Sequence, residues 1–148
     1  MNRALELHDS RVDSISTDRG DLTLKFSAAY VHVSEGVPGV DAGSGWGQEG
    51  GLIFTSAGYD TSADIGDGWI VEGNISIGGE TMSTLPVPFK ATGLISAQFG
   101  FANGCTLKVA ATSVCLSLFG EPRYVEEFPG VSASHSDTQP YGAGNAAR

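Results

Sequence analysis

Leu22-Thr23-Leu24-Lys25-Phe26-Ser27-Ala28-Ala29-Tyr30-Val31-His32-Val33 is the most regular stretch of the chain. Leu22, Leu24, Phe26, Ala28 and Tyr30 fall on one parity, opposed by Thr23, Lys25 and Ser27. A period of two marks a β-strand with one face turned to a core. The alternation runs on through Val31, His32 and Val33, which places His32 in register with Tyr30 and Phe26.

The neighbours follow from this strand. Asp18-Arg19-Gly20-Asp21 is a turn, so residues 11–17, with apolar Val12 and Ile15, pair with it as a hairpin. Residues 4–9 alternate Leu5 and Leu7 against Glu6 and His8 and read as a further strand. His8-Asp9-Ser10 then reads as a corner. Later strands are expected over residues 51–55, 69–77, 81–89, 91–101, 105–109, 114–119 and 123–128. Pro86 and Pro88 make the 81–89 strand an edge or a bulged one, because proline donates nothing to a ladder. Asn103-Gly104 is the strongest hairpin signal. Gly120-Glu121-Pro122 reads as a turn. No segment carries helix caps with an apolar helical stripe.

The expected fold is all-β. About nine strands at short spacing suggest a single-domain antiparallel β-sandwich or a partly open barrel. The domain spans residues 1–129. Residues 130–148, rich in Ser, Ala and Gly with little to bury, read as a disordered tail. A chain of 148 residues is long enough to bury a core without disulfides or a structural metal.

Residues 34–51 are different in kind. Seven glycines in these eighteen residues argue against a regular element and predict a long loop, a feature that is often functional. Trp46 stands in its middle, either pinning the loop to the core or meeting a ligand. Gly43-x-Gly45-x-Gly47 is no phosphate cradle, since neither Lys-Ser/Thr nor a helix follows.

Charge narrows the partners. Between Lys25 and Lys90 there is no lysine or arginine, but there are eight carboxylates: Glu35, Asp41, Glu49, Asp60, Asp64, Asp67, Glu72 and Glu80. They supply nearly all of the formal net charge of −9. A one-signed field repels nucleic acid and anionic membrane and attracts basic protein surfaces. Basic–aromatic interleaving is absent, so nucleic-acid binding is not expected.

The opening of the chain has no apolar leader, and no window approaches the ~18 apolar residues of a membrane span. Cys105 and Cys115, if on one strand, lie about 33 Å apart, too far to bridge. Both then read as reduced cysteines of a cytoplasmic protein.

Candidate chemistry is sparse. Neighbouring strand residues point to opposite faces, so His8, Asp9 and Ser10 form no triad among themselves. His32 with His8, Glu35 or Asp41 has the residue types for a metal or an acid–base pair but not the spacing, and a hydrogen-bonded structural role suits it better. The Asp60–Asp67 region is rich in oxygen but lacks an EF-hand pattern and reads as a solvated loop. No catalytic residue, metal or cofactor is assigned.

Leu5-Glu6-Leu7-His8-Asp9-Ser10, followed by Val12, Ile15 and Leu22-Thr23-Leu24-Lys25-Phe26, resembles the N-terminus of small bacterial all-β proteins, some of them toxin-neutralising immunity proteins. That resemblance covers about the first quarter of the chain and implies binding and blocking of a toxin. The expected function is therefore a non-enzymatic acidic binding protein engaging a basic protein through Glu35, Asp41 and Glu49. The alternative is a small-ligand binder with Trp46, Trp69, Tyr30 and His32 around a mouth beneath the glycine-rich loop. Long exposed strand edges make a homodimer plausible.

Overall fold

The computed structural model describes residues 1–131. The sequence reading of the tail therefore falls mostly outside the described residues. Gly130 and Val131 still belong with the folded part, where the Val131 amide donates to the Val40 carbonyl at 2.9 Å.

Nine strands form one antiparallel sheet: β1 (Asn2–Asp18), β2 (Asp21–Ser34), β3 (Gly43–Thr55), β4 (Gly58–Thr61), β5 (Ile70–Ile77), β6 (Glu80–Met82), β7 (Thr84–Pro86), β8 (Lys90–Phe101) and β9 (Thr106–Phe128). The order across the sheet is β6-β5-β8-β9-β3-β2-β1-β7, with β4 also on β9. The sheet coils on itself without closing. β5 ends one flank and β1 the other, and the chain passes between them at Ser83, with β6 on β5 and β7 on β1. An isolated bridge between Arg11 and Trp69 draws the flanks together further along. Of the two expected architectures this is the partly open barrel.

The core lies inside the coil. Phe26, Phe54, Phe99, Phe101, Leu22, Leu24, Leu52, Ile75 and Leu107 are among its fully buried side chains. The β1–β2 and β5–β6 connections are two-residue turns. Arg19-Gly20 and Gly78-Gly79 have positive φ at both residues, as a two-residue hairpin turn requires.

The strand expected over residues 81–89 divides at Ser83 into β6 and β7, and those expected over 105–109 and 114–119 are one with β9. Three further differences concern the glycine-rich stretch, continuity and phase. The strand begins at Gly43, not Gly51, and only residues 35–42 remain a loop. The glycines are there for close approach rather than flexibility. A Cβ on Gly45 would strike the Tyr30 hydroxyl, and one on Gly43 the Val33 carbonyl. Residues 58–61, which reach into the stretch expected to be a solvated loop, form the short β4 on the β9 ladder.

The second difference is continuity. His8-Asp9-Ser10 does not separate two strands, and Gly120-Glu121-Pro122 does not break β9. Both are bulges within long strands. Residues 7–10 of β1 face Ala29 alone, residues 27–28 of β2 face Glu49, and residues 120–122 of β9 face Gln48. The irregularities line up across four neighbouring strands, so the sheet bends along one row. Ser10, wholly buried, plugs its end. Its hydroxyl donates to the Glu6 carbonyl at 2.7 Å and accepts the Tyr30 amide at 2.9 Å.

The third difference follows from the second. The β2 bulge changes the strand's phase. Ala29 and Val31 take over the buried parity after Phe26, so Tyr30 and His32 keep step with each other but not with Phe26.

Candidate functional site

Beyond the row of bulges, directly opposed residues share a face. One face of this outer half carries Glu6, Tyr30, His32 and Glu126, with Gly45 and Gly47 between β2 and β9. The missing side chain at Gly45 lets the Tyr30 ring lie across β3, and its hydroxyl donates to Glu126 Oε2 on β9 at 2.6 Å. Burial first, then this hydrogen bond and the carboxylates of Glu126, Glu6 and Asp9, hold the Tyr30 phenol well above its ordinary pKa.

His32 is buried beside Tyr30. The Tyr30 and Phe128 rings meet it edge-on, each with centroids 4.9 Å away. Its Nε2 lies 2.6 Å from Glu6 Oε1, while its buried Nδ1 has no hydrogen-bond partner among the described residues. A bare lone pair is cheaper to bury than a bare N–H, so the proton sits on Nε2 and is donated to Glu6. The loop at residues 35–42 forms the roof, with Gly39 against the imidazole. That loop is tied by Val37 N to Asp41 Oδ2 at 2.7 Å and by Asn2 Nδ2 to the Gly36 carbonyl at 2.7 Å.

Glu6 has a second neighbour. His8 Nε2 lies 2.6 Å from Glu6 Oε2 and 3.5 Å from Asp9 Oδ2. Regular strand geometry puts Glu6 and His8 on one side. Asp9 joins them only because the bulge gives it a φ of 73°.

A hollow of about 370 Å³ adjoins this cluster. Ala28, Ala29, Tyr30, Gly47, Trp69 and Val125 line it. Asp9 and Glu126 line it as well, and among the described residues no basic side chain does. Trp69, 44% exposed, already carries one cation: the Arg11 guanidinium sits 5.4 Å from its ring, tethered by Nε to the Asp67 carbonyl at 2.8 Å.

Trp46 is on the opposite face. It pairs with Val31, not His32, donates its indole N–H to Ser44 Oγ at 2.8 Å and meets Tyr124 edge-on. Around it lies a separate, mainly apolar hollow of about 250 Å³, lined in part by Met1, Val31, Val33 and Pro122. The aromatic set read from the sequence is thus divided. Tyr30 and Trp69 share one hollow, Trp46 lines another, and His32 sits under its loop.

The three acidic residues do not gather either. Glu35 and Asp41 are in the tip loop, and Asp41 is engaged in holding it. Glu49 is exposed at the row of bulges, roughly 20 Å along β3. Among the described residues, Asp60, Asp64 and Asp67 form no metal-ligand group; Glu6, His8 and Asp9 do. Sequence reasoning did not single out Glu6, Asp9 or Glu126 as site residues. Glu6-x-His8 on an alternating strand was a readable signal, but the turn of Asp9 and the reach of Glu126 were not.

Cys105 and Cys115 are both unpaired. Among the described residues no helix is long and apolar enough to cross a membrane. Compared with known proteins, the chain matches no family model, no curated protein and no solved structure.

Proposed function

We propose that this is a non-enzymatic, cytoplasmic binding protein that engages a basic partner protein, seating a lysine or arginine side chain in the Tyr30–Trp69 hollow. The observation that carries this reading is the lining itself: two aromatic side chains and two carboxylates, with no basic side chain among the described residues. A cation over an aromatic face gains about 0.5–1 kcal/mol when exposed and about 2 or more when desolvated. The acidic field steers such a partner and makes its association salt-dependent. An inhibitor or immunity role is the sharpest form of the proposal, in keeping with the resemblance at residues 5–10. The two unpaired cysteines suit a reducing compartment.

The test uses parallel pull-downs from host lysate at low and moderate salt, with wild type, Trp69→Ala and Glu126→Gln as baits. A basic protein retained by wild type, weakened by salt and lost with both variants is the expected result. Equal retention by all three baits would remove the hollow from the interface.

A second reading rests on the Trp46 hollow. Its apolar lining and its fixed indole suit a small apolar ligand. Ligand-induced fluorescence change that survives Trp69→Phe but vanishes in Trp46→Phe would support it. No change at either tryptophan would remove it.

A further inference from the structure

We propose that Glu6, His8 and Asp9 form a binding site for a divalent transition ion of the zinc class. The three residues each offer a ligand atom, and these atoms all lie within 4.8 Å of one another. Bonds of about 2.0–2.2 Å to a tetrahedral ion set donors roughly 3.3–3.6 Å apart. His8 Nε2 is already 3.5 Å from Asp9 Oδ2 and 2.6 Å from Glu6 Oε2. Entry of an ion asks the His8–Glu6 contact to open by about 1 Å.

The site is built rather than a chance meeting of surface acids. Glu6 is fixed through its other oxygen. His32, buried and protonated on Nε2, donates to Oε1 at 2.6 Å and leaves Oε2 for the ion. A histidine N–H on a ligating carboxylate orients the ligand, and such support commonly matters about 10–100-fold in metal affinity. Asp9 is brought in by a left-handed backbone conformation, φ 73°, uncommon for a residue other than glycine. Ser10 holds that conformation from inside.

One nitrogen and two carboxylates select the ion. Calcium wants six to eight oxygens, and magnesium an octahedral shell of mostly water. Imidazole with carboxylate suits zinc and its neighbours. His8 and Asp9 are exposed, so the remaining position faces solvent.

The experiment is titration of the full chain with zinc chloride, read by calorimetry and native mass spectrometry. His135→Ala serves as the background, so that the histidine outside the described residues does not contribute. The expected result is one equivalent of zinc, at least tenfold weaker in His8→Ala and in Asp9→Asn, with calcium and magnesium giving no bound mass. His8 is half-exposed, so His8→Ala should keep the wild-type circular-dichroism spectrum. Absence of a bound equivalent at micromolar zinc overturns the proposal. So does zinc binding that His8→Ala leaves unchanged. Trp69→Ala and Glu126→Gln leave all three ligands in place, so failure of the cationic hollow and failure of the metal site are read separately.

Discussion

Tyr30 shows how one residue couples the outer half of the sheet to solvent conditions. Its phenol is held above the ordinary value of 10.0 by burial first and by Glu126 next. A raised acid pKa means that the folded protein keeps a proton the unfolded chain releases. The stabilisation is complete below about pH 10 and is lost as pH rises above it. Urea midpoints measured between roughly pH 9 and 11 should fall more steeply in wild type than in Tyr30→Phe. Parallel slopes would show that Tyr30 does not carry the effect. The tyrosine was legible in sequence as part of an alternating face. Its partner was not, because Glu126 lies 96 residues away and meets it only across a glycine whose purpose is close approach. His32 was likewise legible as a hydrogen-bonded structural residue, but nothing local named Glu6 as the acceptor.

At the scale of elements, the long strands depend on their bulges. Ser10 Oγ joins the Glu6 carbonyl to the Tyr30 amide inside the β1 bulge. Ser10→Ala leaves both backbone groups buried and unanswered, at a cost of about 1–3 kcal/mol. Equilibrium denaturation would measure it, and a change near zero would mean that the bulge is held by strand pairing alone. Alternation and turn residues announced most strands here, including β2, β5 and β8. They failed over residues 43–50 of β3, where glycines that serve Tyr30, Val33 and Ser117 as neighbours resemble those of a flexible loop. They failed also at residues 120–122, where turn chemistry serves a bulge. Composition cannot separate a glycine placed for backbone freedom from one placed to admit a neighbour.

Over the whole molecule, β9 ties the sheet together. Its first part pairs β8 on one side and β4 on the other, while residues 117–128 pair β3 alone among the described residues. Hydrogen exchange should therefore be slowest over residues 106–115 and faster over 117–128, where one edge is open. Uniform protection along β9 would mean that something covers that edge, as a second copy of the chain would. The all-β class and the acidic middle were readable at this scale. Which of the two expected architectures the sheet takes was not, since the row of bulges runs across the consecutive strands β1, β2 and β3 and on to β9, distant in sequence. The place of β9 also bears on synthesis. On a ribosome the β3 segment emerges with β2 for company, but its other neighbour is still tens of codons away. At about 5–20 residues per second, β3 waits for several seconds with one side unmatched. The nascent chain thus passes through a stage at which that edge is open to capture, and slow codons between β4 and β9 would lengthen it.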